Sequence, residues 1–273
     1  MINFQIYKNG QQIPFEKENN YFQNKIFKIL FIFHGLYGRG KNWQTFSKIL
    51  SQKENQIVVT VDLRNHGGNE FVDDISYISM MDDIISLFNY LGVENTNLLG
   101  HSMGGKLAMV IALLEPKYVN KLIVADIAPI DYDNNEKQII NSLLSINLNL
   151  VTNRNEADKL LSNHINQKFL RIFLLQNLEL VDGKYKWSLN LKAIQKSLND
   201  LRKFPSIKNI KKFNKEVLCI YGGKSNYVKE EYFKIFKKFF SNIFFHEIKD
   251  ADHFLHIENP LEFYEASNNF LNN

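Results

Sequence analysis

Short apolar runs alternate with segments of helical periodicity along most of the chain, and this alternation limits the possible folds. Residues 29–33 and 57–61 are continuous apolar or β-branched runs of strand length, as expected for strands buried on both faces. Between and after them, apolar residues recur at the three- and four-residue spacing of amphipathic helices, as far as Gly92. The pattern predicts an α/β fold with a mostly parallel central sheet flanked by helices.

The later part of the chain continues this pattern after one long interruption. We predict further strands at residues 96–99, 122–125, 217–221 and 243–248, and an antiparallel edge strand at residues 4–7. Between 131 and 212, amphipathic helical stretches follow one another without an obvious strand. We therefore predict a core formed by residues 1–130 and 213–273, with residues 131–212 inserted as a helical cap.

Composition and charge exclude several classes of protein and partner. The 273 residues carry 33 Lys+Arg and 29 Asp+Glu, and the basic residues are dispersed, so nucleic acid is not an expected partner. The only cysteine, Cys219, lies in an apolar run and indicates a reducing compartment. We see neither a signal peptide nor a membrane span. The expectation is a cytoplasmic protein without stable membrane insertion, although organelle targeting stays open, as does the oligomeric state.

Residues 100–104, Gly-His-Ser-Met-Gly, match the pattern G-x-S-x-G between a predicted strand and a predicted helix. This is the setting of a nucleophile elbow, in which a strained turn holds the serine hydroxyl above the sheet edge. A nucleophilic serine also needs backbone N–H groups directed at the oxyanion. We predict Ser102 as the nucleophile, with the N–H groups of Leu36 and Met103 as the oxyanion hole.

A serine nucleophile needs a base, and seven histidines compete for that role. His253 follows the last predicted strand and precedes the terminal helix, so it lies at the carboxyl edge of the sheet. His256 is the alternative, because it lies one helical turn further on and can line the same pocket. We predict His253 as the base.

The third catalytic group is a carboxylate that orients the histidine. In many proteins of this plan the acid follows the strand after the cap, but residues 220–228 contain neither Asp nor Glu. Asp126 ends the strand that follows the elbow in the chain, so we predict it as the acid. The alternative is an aspartate that only initiates a turn. Asp252 adjoins His253, and its side chain is expected to point away from the base.

Six segments occur in order at the spacing of α/β-hydrolases: HGLYGRGKNW, VDLRNHGG, GHSMGGK, DIAPIDY, YGGKSNYV and ADHFLHIENP. Together they resemble the YbfF-type esterase branch of the α/β-hydrolase superfamily, over nearly the whole chain from about Phe31. The resemblance implies an α/β-hydrolase fold with Ser102 as nucleophile, Asp126 as acid and His253 as base. It also implies a serine carboxylesterase or thioesterase that acts on small-molecule esters and acyl thioesters, with acyl-CoA as one candidate, and needs neither metal nor organic cofactor.

The substrate itself is less well defined by the sequence. We expect Tyr37, Phe169 and Phe173 to contact the substrate, although the apolar cluster at residues 169–175 is equally typical of an ordinary cap core. Two other functions stay open. One is a protein or lipid deacylase for long acyl chains, which a chain-length series would reveal. The other is a ligand receptor on a hydrolase scaffold, with low turnover and ligand-dependent partner binding.

Overall fold

The computed structural model describes residues 2–16, 20–133, 136–207 and 211–273. Parts of the predicted cap, at 134–135 and 208–210, lie outside the described residues. The strands in the described ranges are β1 (Phe4–Lys8), β2 (Gln11–Ile13), β3 (Lys28–Phe33), β4 (Gln56–Val61), β5 (Thr96–His101), β6 (Val119–Ala125), β7 (Leu178–Val181), β8 (Lys184–Trp187), β9 (Phe213–Gly222) and β10 (Phe240–Ile248). The helices there are α1 (Gln44–Leu50), α2 (Tyr77–Leu91), α3 (Met103–Leu114), α4 (Lys137–Ser145), α5 (Arg154–Ser162), α6 (Lys168–Leu175), α7 (Leu191–Leu201), α8 (Glu230–Phe239), α9 (Leu255–Glu258) and α10 (Pro260–Asn272).

Eight strands form one sheet in the order β2-β1-β4-β3-β5-β6-β9-β10. The pairs from β4 through β10 are parallel, whereas β1 is antiparallel to both β2 and β4. The predicted mostly parallel sheet is confirmed. The prediction of an edge strand at residues 4–7 is wrong in one respect, because β2 pairs outside β1 and is itself the edge.

The helices cover the sheet with apolar faces that the sequence specifies. Ser76 caps the start of α2 by accepting a hydrogen bond from Ser79 N, and Gly92 ends the helix in the left-handed conformation at φ 73°. Its buried side chains recur at helical spacing. Every residue of α3 from Met103 to Leu113 is buried, so this helix lies inside the protein, directly behind the sheet edge that carries Ser102.

The segment between β6 and β9 contains α4 to α7 and a two-stranded antiparallel sheet of β7 and β8. The sequence pattern predicts only helices there, so the hairpin of β7 and β8 differs from that expectation. We propose that the segment acts as the cap, and its boundaries stay a prediction. Within the described residues, no helix combines the length and apolar character needed to cross a membrane.

Candidate active site

The carboxyl ends of the parallel strands meet at one edge of the sheet, and the predicted catalytic residues follow these ends directly. Ser102 follows β5 and Asp126 follows β6, while His253 lies in the loop after β10. Because β5, β6 and β9 are neighbours, the first two residues are brought side by side. Ser102 N donates a hydrogen bond of 3.0 Å to Ala125 O, next to Asp126.

Ser102 occupies the turn between β5 and α3 with φ 52° and ψ −118°, a conformation that non-glycine residues rarely adopt. The glycines on both sides allow it. A Cβ on Gly100 would lie 2.1 Å from Gly104 O, and a Cβ on Gly104 would lie 2.3 Å from Phe33 O. Both distances are too short, because Cβ atoms in proteins essentially never come closer than 3.0 Å to such neighbours. The close approach of strand and helix therefore requires glycine at both positions.

Asp126 is fully buried and accepts hydrogen bonds on both carboxyl oxygens. Gly222 N donates to Oδ1 at 3.0 Å, while Ser225 Oγ donates to Oδ2. His253 Nδ1 lies 2.8 Å from the same Oδ2. Because a carboxylate only accepts, we assign the proton to Nδ1, which leaves Nε2 of His253 free to accept one. This is the tautomer that a general base for a serine hydroxyl requires.

Contacts to both the ring and the backbone hold His253 in place. Tyr227 stacks on it at a centroid distance of 3.9 Å and an interplanar angle of 22°. His101 Nε2 lies 2.8 Å from the His253 carbonyl oxygen, and His253 N donates to Asp252 Oδ1 at 2.8 Å. Among the described residues no hydrogen bond joins Ser102 Oγ to His253. Such contacts are often long in free enzymes and shorten when substrate binds.

His256, the alternative base, lies in a different environment. It is stacked on Trp43 at a centroid distance of 4.2 Å, and its Nδ1 is buried without a hydrogen-bond partner in the described residues. Burial, followed by the charge of His253, lowers the pKa of His256 to about 3. The geometry therefore favours His253, which contacts Asp126, over His256, which does not.

The loop after β3 lies directly against the serine. A Cβ on Gly35 would be 3.2 Å from Ser102 Cβ, and Leu36, Ser102 and Met103 line one cavity. Met103 is the first residue of α3, where backbone N–H groups have no partner in the helix and the helix dipole favours negative charge. Leu36 and Met103 thus line the same cavity as Ser102, and their role as the oxyanion hole stays a prediction.

The predicted substrate contacts are spread more widely. Phe173 is buried and Phe169 is 44% exposed, and both rings contact Phe254 at centroid distances of 5.0 and 5.3 Å. Tyr37 is buried, its N–H donating to His66 Nε2 and its carbonyl accepting from Asn177. The residues lining the Ser102 cavity include none of these three predicted contacts. Their role in substrate binding stays a prediction.

Sequence reasoning missed several residues that the structure brings to the site. Ser225 and Tyr227 lie in the loop that lacks an acid, and they hold Asp126 and His253. Lys106, which the sequence places only in the helix after the elbow, lines the same cavity as Ser102, as does Glu136. The i+4 spacing of Lys106 from Ser102 indicates that both lie on the same side of the helix. Glu136, Ser225 and Tyr227 reach the site through contacts that are distant in sequence.

The described residues contain no group of three or more His, Cys, Asp or Glu side chains arranged to hold a metal ion. The groups that this site brings together are the serine in the strained turn between β5 and α3, a histidine and a carboxylate. The expectation that no cofactor is needed stays a prediction.

Comparison with known proteins identifies the family. The model of the alpha/beta hydrolase fold family matches residues 28–260. The chain belongs to the alpha/beta hydrolase family. This alpha/beta hydrolase is 32% identical over 249 residues to the sn-1-specific diacylglycerol lipase ABHD11 of Mus musculus, covering 89% of this chain and 80% of the lipase.

Two further relatives support the same placement. The esterase YbfF of Escherichia coli is 28% identical over 243 residues, which cover 88% of this alpha/beta hydrolase and 91% of that esterase. A solved structure described as a marine microorganism esterase superposes with a TM-score of 0.88 at 32% identity, covering 98% of both chains. The fold prediction and the resemblance to YbfF-type esterases are confirmed.

Proposed function

We propose that this chain is a serine hydrolase that cleaves carboxylic esters and acyl thioesters through an acyl-enzyme intermediate. The observation that carries the proposal is the 2.8 Å contact of His253 Nδ1 with the buried carboxylate of Asp126, next to the strained turn at Ser102. The esterase and lipase names of the relatives support an ester substrate.

In the proposed first step, His253 Nε2 takes the hydroxyl proton of Ser102 while Oγ attacks the substrate carbonyl carbon. The carbonyl π electrons move to its oxygen, and the N–H groups of Leu36 and Met103 stabilise the resulting oxyanion. Asp126 stabilises the imidazolium through the Nδ1 hydrogen bond. Collapse of the tetrahedral intermediate breaks the bond to the leaving alcohol or thiol, which receives the proton from His253.

The second step releases the acid. His253 takes a proton from water while the water oxygen attacks the acyl carbon, and a second oxyanion forms in the same place. The bond to Ser102 Oγ then breaks, and Oγ takes the proton back from His253. The cycle consumes one water and restores Ser102 and His253, so the reaction needs no further reactant.

The test is the mass of intact protein after reaction with a fluorophosphonate, with peptide mapping of the adduct. We expect one adduct per chain on Ser102, none in Ser102→Ala and strongly slowed labelling in His253→Ala. His246→Ala is the matched control, because His246 lies in β10 and pairs with Glu262 on a partly exposed surface. Folded wild-type protein that stays unlabelled would refute the proposal and favour a receptor on a hydrolase scaffold.

Ester and thioester activity are separated by a second measurement. Butyryl and palmitoyl groups are presented as matched oxygen esters and thioesters, and kcat/KM is measured for the four substrates. Hydrolysis of the butyryl pair supports the proposal. Turnover confined to the palmitoyl pair would instead identify a deacylase for long acyl chains.

A further inference from the structure

The cavity beside Ser102 is lined in part by polar and charged side chains that the proposed hydrolysis does not use. Its lining combines the oxyanion residues with charged and phenolic side chains: Leu36, Tyr77, Ser102, Met103, Lys106, Ile127, Tyr132, Glu136, Leu201, Arg202 and Tyr227. A cavity built only for an alkyl chain would be lined by apolar side chains. The charged groups on this lining are therefore placed to contact a substrate bound at Ser102.

Lys106 is the first of these groups. Its side chain is 1% exposed, and it lies one turn of α3 after Ser102, with Lys106 N donating to Ser102 O. Its ammonium donates to the backbone carbonyl of Arg202 and lies 4.8 Å from the centroid of the Tyr132 ring. In the described ranges no carboxylate lies within the 4.0 Å of an ion pair, although the charges of Asp131 and Glu136 are near enough to favour the ammonium. Burial lowers its pKa to about 7. An ammonium has three N–H donors, so this one keeps donors for a ligand.

Glu136 supplies the complementary group on the same cavity. Tyr227 OH donates to Glu136 Oε1 at 3.2 Å, and the Tyr227 ring stacks on His253. The second carboxyl oxygen, Oε2, is buried and has no hydrogen-bond partner in the described part of the chain. Burying an acceptor without a partner is unfavourable. The same cavity is therefore lined by a carboxyl oxygen without a partner and by an ammonium that keeps donors.

We propose that Lys106 and Glu136 select substrates that carry a hydroxyl group close to the reacting carbonyl, with the hydroxyl oxygen accepting from Lys106 Nζ and its proton donated to Glu136 Oε2. The proposal rests on the proposed ester hydrolysis at Ser102 and adds the substrate class. Both residues are specificity determinants and take no part in the bond changes.

The hydroxyl group fits better than the other candidates because it is both a donor and an acceptor. An alkyl chain would cover both charged groups without satisfying either. A carboxylate would pair with Lys106 but would face the carboxylate of Glu136, which repels it. A site built to hydrogen-bond a substrate hydroxyl rejects the analogue that lacks it far more strongly than an apolar pocket rejects an added hydroxyl.

The test compares kcat/KM for three esters of similar size, measured by titration of the released acid. Propyl butyrate is the reference, propyl 3-hydroxybutyrate places the hydroxyl on the acyl side, and 2-hydroxyethyl butyrate places it on the alcohol side. We expect at least a tenfold preference for one hydroxyl ester over the reference. The preferred ester identifies which side of the substrate occupies the cavity.

Lys106→Met and Glu136→Gln should each reduce this preference to threefold or less. The ratio of kcat/KM for two substrates does not depend on the fraction of enzyme that is folded. If Lys106→Met fails to fold, Glu136→Gln still tests the proposal. Lys121→Met is the matched control, because Lys121 is largely buried but pairs with Glu216 and Phe270 at the far end of β6. Its preference should equal that of the wild type.

Each other outcome identifies a specific failure. Equal rates for the three wild-type esters, or a preference that survives both variants, would overturn the inference while leaving the hydrolase function in place. A preference for the monopropyl ester of succinate that is lost in Lys106→Met but kept in Glu136→Gln would overturn it in favour of a carboxylate. Absence of both ester cleavage and fluorophosphonate labelling would refute the proposed function itself.

Discussion

Replacing Asp126 with asparagine should remove the orienting charge while leaving the shape of the site unchanged. Asn tolerates the left-handed conformation that Asp126 adopts at φ 48°. Gly222 N needs an acceptor at the Oδ1 position, so the amide oxygen takes that place and the amide nitrogen faces Ser225 and His253. His253 Nδ1 must then accept a hydrogen bond, and its proton moves to Nε2. In that tautomer Nε2 cannot take the proton of Ser102.

A base held in the wrong tautomer is expected to reduce kcat by about 10⁴-fold, or roughly 5.4 kcal/mol of transition-state stabilisation at about 1.36 kcal/mol per tenfold change. The free energy of unfolding should change by no more than about 3 kcal/mol, because three hydrogen bonds pass from a charged to a neutral partner at about 1 kcal/mol each. Hydrolysis of a butyrate ester under saturating substrate gives kcat, and urea denaturation gives the stability.

Asp252→Asn is the control for this substitution, since Asp252 adjoins the base but only accepts from His253 N through Oδ1. An asparagine keeps that acceptor, and kcat should stay within about threefold of the wild type. If Asp126→Asn retains more than a tenth of the wild-type kcat, or if Asp252→Asn is the more damaging change, the assignment of Asp126 as the orienting acid is wrong.

Three further predictions concern stability and use urea denaturation. Ser225→Ala should cost about 2 kcal/mol, because Ser225 Oγ donates to Asp126. Ser267→Ala, which removes a buried hydroxyl without a partner in the described residues, should cost less than about 1 kcal/mol; equal costs would contradict this. The pKa of His256 is lowered to about 3, so the unfolded chain binds more protons below about pH 6.5 and stability is lost as pH falls. Between pH 7.5 and 5.5 the wild type should lose about 1.4 kcal/mol more than His256→Phe, and parallel pH dependences would refute the effect. Phe173→Ala should cost about 3–5 kcal/mol, since Phe173 is 8% exposed. Phe169→Ala, at a position that is 44% exposed, should cost less than about 1 kcal/mol, and similar losses would show that both rings belong to one core.

The core strands could be predicted from sequence because each contains an apolar run with a clear end. The alternation of apolar and helical segments correctly located β3, β4, β5, β6, β9 and β10, although their ends shifted by up to four residues. All of them except the edge strand β10 contain a run of buried apolar residues, so hydrophobicity marks them. Their carboxyl ends then indicate which residues share an edge, which is why the sequence alone predicts that Ser102, Asp126 and His253 lie together.

The missed strands are short and partly exposed, so hydrophobicity gives no signal for them. Both missed pairings nevertheless carry a turn signal. Asn9 and Gly10 join β1 to β2, and Asp182 and Gly183 join β7 to β8, all four with positive φ. Asn-Gly and Asp-Gly are the dipeptides that favour two-residue hairpin turns of this kind. Reading these dipeptides as turns would have predicted both hairpins, including the one between β6 and β9.

The position of the acid illustrates how sheet order determines what sequence order leaves open. β6 lies between β5, which ends before Ser102, and β9, which is followed by the loop that carries the acid in many proteins of this plan. A carboxylate at the end of β6 therefore faces the same space as one placed after β9. Gly222 N at the end of β9 and Ser225 Oγ in the loop after it donate to Asp126, and neither position supplies a carboxylate. Because the requirement is a carboxylate within reach of His253 Nδ1 at this edge, either strand can supply it, provided that the neighbouring loop supplies the hydrogen-bond donors.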